Sequence, residues 1–164
     1  MKRRTILLLA VLAMLTLVGV AVAWDCVRIA ANHRERIALA DDELKKHEDR
    51  LVTLLRGAPQ ASPEVEAAIA VHQAAKDPPA RQAAYDELVA AFRQTMATAV
   101  DPANPLDRQF MDNIAGAINR RDIARDPYDL ESTAYRQFLV SIRGRVARWF
   151  SSQAQSDWNA AASR

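Results

Sequence analysis

The sequence predicts an all-α protein: an N-terminal transmembrane helix followed by an antiparallel bundle of three to four long helices. Three observations carry that prediction. Half of the 164 residues are apolar while glycine is scarce (4). Val, Ile and Thr do not gather into alternating runs, and the dominant residues, Ala above all, lose little freedom on entering a helix. Apolar residues recur three and four apart through most of the chain, the spacing of one helical face. Finally, Thr5 to Trp24 gives 20 residues without a charge. The expected organisation is a signal-anchor over 1–24, a helical bundle over 25–150 and a flexible C-terminal tail over 151–164.

Within the N-terminal segment, "KRRTILLLAVLAMLTLVGVAVAWD", the uncharged stretch Thr5 to Trp24 is roughly 30 Å long as a helix, enough to cross a bilayer. Lys2, Arg3 and Arg4 should stay cytoplasmic, which leaves the rest of the chain outside, single-pass in a cytoplasmic (inner) membrane. Trp24 suits the far interface. A cleaved signal peptide is the rival, since Ala21-Val22-Ala23 is a small-x-small cleavage pattern behind the apolar run from Ile6 to Leu17. Helical character continuing past Asp25 without a polar linker favours the anchor. The single Cys26 rules out an internal disulfide, and Asp25 directly before it argues against lipidation at that cysteine.

From Ala30 a seven-residue repeat appears. Ala30, Ile37, Leu44 and Leu51 form one seam, and His33, Ala40, His47 and Leu54 follow three residues after each. Arg34, Glu35, Arg36, Asp42, Glu43, Lys45, Lys46, Glu48, Asp49 and Arg50 are expected on the solvated sides. Gly57, with Pro59 beyond, should stop the helix. A continuous helix from 5 to 56 would be roughly 78 Å long. The seam is expected to close within the bundle, with self-association into a homo-oligomer as a secondary expectation.

Ser62-Pro63-Glu64 is a helix start: a hydroxyl cap, Pro at the first position, then an acid near the positive end of the dipole. Val65, Ile69 and His72 share one face of that helix. Asp77-Pro78-Pro79 either restarts the helix with Asp77 as cap or kinks it. The next helix carries Tyr85, Leu88, Val89, Phe92 and Met96 at core spacing, and Asp101-Pro102 begins a turn whose prolines cannot continue it.

Phe110, Ile114, Ala117 and Ile118 form the stripe of the following helix. Pro127 either caps a new helix or kinks one long one; the sequence leaves both open. Tyr128, Tyr135, Phe138, Leu139, Ile142 and Val146 carry the apolar face on to Trp149-Phe150. These two, with Trp158, are expected to close the end of the bundle, with partner or membrane contact as the other use. The tail beyond is expected to fray.

Charge and motifs exclude more than they propose. The net charge is +2, yet without Lys2, Arg3 and Arg4 acids outnumber bases by one, so no concentrated basic face for nucleic acid is expected. "HEDRL" (47–51) begins like a zinc-protease motif but has Leu51 where the second His belongs. His33 and His47 are roughly 21 Å apart along one helix and cannot share an ion. His47 with His72 and Glu48 is the remaining metal combination, weaker than histidines packed between helices. Asp41-Asp42-Glu43 points to different sides, "DPANPLD" lacks the glycine and terminal Glu of a calcium loop, and no Gly-x-Ser-x-Gly occurs. No catalytic, cofactor or metal residue is therefore singled out, and the chain is not expected to be an enzyme.

Arg120, Arg121, Arg125, Arg136, Arg143, Arg145 and Arg148 are the one local enrichment, with Asp122, Asp126, Asp129 and Glu131 among them. Exposed salt-bridged faces are the plain explanation. A docking surface for an acidic partner, or for anionic lipid headgroups, is the functional one.

"LKKHEDRLVTLL" (44–55) and "FMDNIAGAINRRDIARDPYD" followed by "AYRQFLVSIR" resemble stretches of the LemA family. Asn119-Arg120, Arg125, Tyr128 and Tyr135 keep that family's pattern. Ile118, Asp129, Arg136, Val52 and Pro127 depart from it, which marks a divergent member. The resemblance implies a single-pass bacterial envelope protein with a long-helix antiparallel bundle and no established enzymatic activity. The function expected is thus a membrane-anchored interaction or scaffolding module with an envelope or membrane protein as partner. The alternative is a secreted bundle, released after Ala23, that binds a small ligand or metal in its core.

Overall fold

A computed structural model describes residues 2–58, 62–99, 101 and 103–162, and among them it contains helices and no strand. In chain order these are α1 (Lys2–Arg56), α2 (Pro63–Ala74), α3 (Pro78–Ala99), α4 (Pro105–Val140), α5 (Ile142–Phe150) and α6 (Ser152–Ala162). The chain divides into two compact units: residues 1–41 with 127–164, and residues 42–126. The single region expected over 25–150 is thus split, and α1 and α4 each contribute to both units.

In the unit of 42–126 the core is Leu51, Val52 and Leu55 of α1, Val65 and Ile69 of α2, Tyr85, Leu88, Val89, Phe92 and Met96 of α3, and Ile114 and Ala117 of α4. Each fully buried Leu or Ile contributes about 1.5–3 kcal/mol of burial. The start of α2 is as the sequence indicates: Ser62 Oγ accepts from Val65 N at 3.3 Å, and Pro63 opens the helix. Val65, Ile69 and His72 are its buried face. The helix ends at Ala74 and a new one begins at Pro78, so Asp77-Pro78-Pro79 restarts a helix rather than bending one. Arg81 N bonds to the Asp77 carbonyl in the first turn of α3.

The stop at Gly57 acts as expected, and of the two roles open to Pro127 the one within a single long helix is found. α1 does end at Arg56, where Gly57 N bonds to Thr53 O and Ala58 N to Leu55 O, but Gly57 is not in the left-handed region. Pro59 and Pro102, the other expected stops, lie outside the described residues. Pro127 sits inside α4, which runs unbroken from Pro105 to Val140. Pro127 and Ile123 are both exposed, so water can take the Ile123 carbonyl that loses its helical partner.

In the unit of 1–41 and 127–164 the core is made mostly of small residues: Cys26 and Ala30 of α1, Ala147 of α5 and Ala154 of α6, closed by Tyr135 and Leu139 of α4. The contacts of α4 step from Glu131 against Arg36 and His33 to Phe138 against His33, so it runs opposite to α1. Ser141 then caps α5, its Oγ accepting from Gly144 N at 3.1 Å. A Cβ on Gly144 would stand 2.1 Å from the Phe138 carbonyl, so only glycine permits this tight turn.

Three expectations for the C-terminal region change. Ile142 does not continue the buried face and is 79% exposed, because the turn at Ser141 resets the helical phase. Trp149 and Phe150 do not close a core and are exposed. The stretch 151–164, expected to fray, contains α6, held by Ala154 in the core and by Tyr135 Oη donating to Asp157 at 2.6 Å. Ser163 and Arg164 lie outside the described residues.

Candidate functional site

The most concentrated chemistry is a buried charged cluster in the unit of 42–126. Glu48 recurs with Leu44, Leu51 and Leu55 at three- and four-residue steps, which puts its carboxylate on the inward face of α1. It is 1% exposed, as is Arg121. Arg121 follows Ile114 by seven residues and Ala117 by four, so the core stripe of α4 ends on a guanidinium. Glu48 Oε1 accepts from Arg121 Nε at 3.2 Å and from its terminal nitrogen at 2.9 Å. Glu48 Oε2 lies 3.1 Å from Arg81 Nε in an ion-pair contact without hydrogen-bond alignment.

Gln82, Tyr85 and His72 complete the shell. Arg121 also donates to the Gln82 side-chain carbonyl, and its guanidinium lies 4.0 Å above the Tyr85 ring. The Tyr85 hydroxyl is buried without a hydrogen-bond partner among the described residues, and burial pushes its pKa up to about 12. His72 is buried with Nε2 3.8 Å from Glu48 Oε2, and its Nδ1 has no hydrogen-bond partner among the described residues.

This cluster brings together two members of the weighed metal combination, Glu48 and His72. The third, His47, instead faces Glu43 at 3.5 Å. Arg81 and Arg121 occupy the Glu48 carboxylate with positive charge where a cation would have to stand. Among the described residues no group of three or more His, Cys, Asp or Glu is placed to hold a metal ion. Chemically, a carboxylate held between two guanidiniums is a fixed acceptor whose main effect is to lock three helices together.

The other unit has a polar seam of its own. Glu131 takes Arg36 at 3.5 Å and faces His33 Nδ1 at 3.6 Å. The His33, Tyr135 and Phe138 rings pack with centroids 5.6–6.4 Å apart. Burial first, and the Asp157 hydrogen bond second, push the Tyr135 pKa well above the usual tyrosine range.

The seven arginines of the enriched stretch are dispersed. Arg120, Arg121 and Arg125 belong to the unit of 42–126, and Arg136, Arg143, Arg145 and Arg148 to the other. Arg121 is interior. Arg120, Arg136, Arg143 and Arg145 are exposed, and Arg125 is half-buried. Arg148 is half-buried too, with its guanidinium 4.1 Å over the Trp158 ring. A separate open cleft of about 350 Å³ lies between α3 and α4, with Phe92 and Ile114 on its floor and Arg93, Asn119 and Asp122 among its lining.

Sequence reasoning placed Glu48 among solvated residues and passed over Arg81, Gln82 and Asp157. The heptad spacing from Leu44 and Leu51 could have found Glu48, and the stripe from Ile114 could have found Arg121. Nothing local marks Arg81 or Asp157.

No family model matches the chain, and neither a curated protein nor a solved structure matches it.

Proposed function

We propose that this chain is a membrane-anchored, non-enzymatic helical bundle of the bacterial envelope, a divergent relative of LemA proteins that serves as an interaction or scaffolding module. One observation carries the anchor. In the apolar part of α1 an 18-residue window is only 6% buried, and Ile6, Leu7, Leu8, Leu12, Leu15 and Leu17 are each 59–71% exposed. At about 1.5–3 kcal/mol for each large side chain left in water, these six alone approach or exceed the ~5–15 kcal/mol that holds a domain folded. A bilayer removes that cost.

The helix does not break where the apolar segment ends. α1 runs on through Ala23, itself buried, into Cys26 and Ala30 of the first core and Leu51 and Leu55 of the second. Lys2, Arg3 and Arg4 before the span favour an outside location for everything after it. Binding would then use exposed helix faces, with Arg120 and Arg136 as cationic contacts for an acidic envelope partner.

The test is in-cell crosslinking of the full-length chain, alkaline extraction of membranes, and intact-mass spectrometry of what is recovered. Retention in the membrane with the N-terminus intact, plus one reproducible envelope protein crosslinked to it, is the expected result. Recovery in the soluble fraction with Trp24 as first residue would overturn the anchor in favour of a secreted bundle.

A further inference from the structure

Helix α5 has its polarity reversed for a surface helix in water. Its inward stripe is Gly144 and Ala147, whereas Ile142, Trp149 and Phe150 are 79%, 83% and 67% exposed. Ile142 and Trp149 stand two turns apart on one face, with half-buried Val146 between them. A helix bordering water turns its polar residues outward. Here the outward ridge is apolar, and the polar residues flank it: Arg143 on one side and Arg145 on the other. Both are exposed, and neither makes an ion pair among the described residues.

The place of α5 within its unit gives this ridge an occupant. Ala147 shares a core with Cys26 and Ala30, and Cys26 comes two residues after Trp24, the end of the apolar segment. α4 runs opposite to α1 and ends at Val140, which is 55% exposed. α6 then carries the chain away again, with Ala154 in that core and Asp157 3.8 Å from Arg34. α5 is therefore the connection at the end of the unit nearest the apolar segment. Its exposed apolar side chains thus belong to the same end of the unit as Trp24, itself 72% exposed.

We propose that α5 is a second, in-plane membrane contact. Its Ile142–Trp149–Phe150 ridge seats in the headgroup layer of the bilayer that α1 crosses, and Arg143 and Arg145 reach lipid phosphates. The proposal rests on the anchor assigned above. Its chemistry is that of an interfacial amphipathic helix: apolar side chains enter the acyl boundary, Trp sits at the headgroup level, and flanking arginines keep their charge in the polar layer. Anionic headgroups add attraction for two cations that have no ion-pair partner among the described residues. With α1 piercing the membrane and α5 lying on it, the helical unit between them is held at the surface rather than hanging from a single stem.

Tryptophan quenching tests this on the full-length protein reconstituted into phosphatidylcholine–phosphatidylglycerol vesicles brominated on the acyl chains near the headgroups. Trp24→Phe with Trp158→Phe leaves only Trp149, and Trp149→Phe with Trp158→Phe leaves only Trp24. Phenylalanine at 158 keeps an aromatic face under Arg148. The expected result is loss of emission from both reporters, with the Trp149 loss reduced by Arg143→Gln with Arg145→Gln. Quenched Trp24 with unquenched Trp149 overturns the α5 contact and leaves the anchor standing. Unquenched Trp24 overturns the anchor and this contact with it. Equal Trp149 quenching with and without the arginines overturns the phosphate contact.

Discussion

Removing Glu48 should be more damaging than removing either arginine it holds. Glu48→Leu leaves Arg121, whose side chain is 2% exposed, with only the solvent-exposed Asp122 at 3.8 Å as counter-charge, and breaking a buried pair in this way costs about 3–5 kcal/mol. Arg121→Leu leaves Glu48 with Arg81 at 3.1 Å and removes charge-assisted hydrogen bonds worth about 1.5–3 kcal/mol. Arg81→Leu should cost least, because its side chain is the most exposed of the three at 11%. The double variant Glu48→Leu/Arg121→Leu should fall well short of the sum of the singles, since the stranded charge is gone. A unit the size of 42–126 has about 4–13 kcal/mol to lose, at ~0.05–0.15 kcal/mol per residue. The assay must see that unit alone. Trp24, Trp149 and Trp158 all lie in the other one, so hydrogen exchange of peptides covering 44–55 and 114–121, in detergent micelles, is the readout. At tenfold per 1.4 kcal/mol, Glu48→Leu should speed exchange there on the order of 10²–10³-fold. Exchange within about twofold of wild type, well below what a buried charge demands, would refute the arrangement of this cluster.

Three further outcomes follow from single positions. Tyr85→Phe deletes a buried hydroxyl with no partner while keeping a ring under Arg121, so unfolding should show it neutral or about 1 kcal/mol more stable. It should also remove an alkaline weakness. The folded Tyr85 holds its proton to about pH 12 and the unfolded one to about 10, so its contribution is full below pH 10 and fades as pH climbs towards 12. Gly144→Ala drives a Cβ into the Phe138 carbonyl and Leu139 Cα, and should cost about 1–3 kcal/mol or more, read from the tryptophan emission of that unit during urea unfolding. Ile114→Asp places an unpaired carboxylate at a site 1% exposed and should unfold the unit of 42–126 by circular dichroism; a fully folded variant would mean that the α4 stripe faces elsewhere.

What was legible in the sequence is what local spacing and local hydrogen bonding decide. The seam Ala30, Ile37, Leu44, Leu51 turns inward because a 3–4 repeat leaves it no other side, and Ser62-Pro63 starts a helix because the cap needs only its own neighbours. Glu48 and Arg121 escaped for the opposite reason. Each occupies a core position by spacing, but a charge becomes tolerable there only through a partner 73 residues away, and no local rule supplies that partner. α6 escaped likewise: its helix is anchored by Asp157 on Tyr135 and by Trp158 under Arg148, contacts made across turns rather than along the strip of sequence. Pro127 was undecidable locally, because whether it ends a helix depends on whether water reaches the carbonyl it strands.

The residue sizes along α1 follow from what each stretch must face. Through residues 6–22 large apolar side chains are exposed in every direction, as the proposed membrane span requires. From Ala23 through Cys26 to Ala30 the inward positions shrink, and the residues opposite, Ala147 and Ala154, are small as well. Small against small brings helix backbones close, so dispersion contacts come from the backbone itself rather than from long side chains. That suits α5 and α6, which at 9 and 11 residues are too short to be stable helices unaided. From Leu44 to Leu55 the seam is large again, facing α2, α3 and α4 across a core of full-sized side chains. A single large residue in the small stretch, such as Leu in place of Ala30, which is fully buried, would push α5 and α6 outward and leave them without the contacts that fold them. If α5 does rest on the bilayer, the same substitution would lift its tryptophan from the lipid while leaving the Glu48 cluster undisturbed.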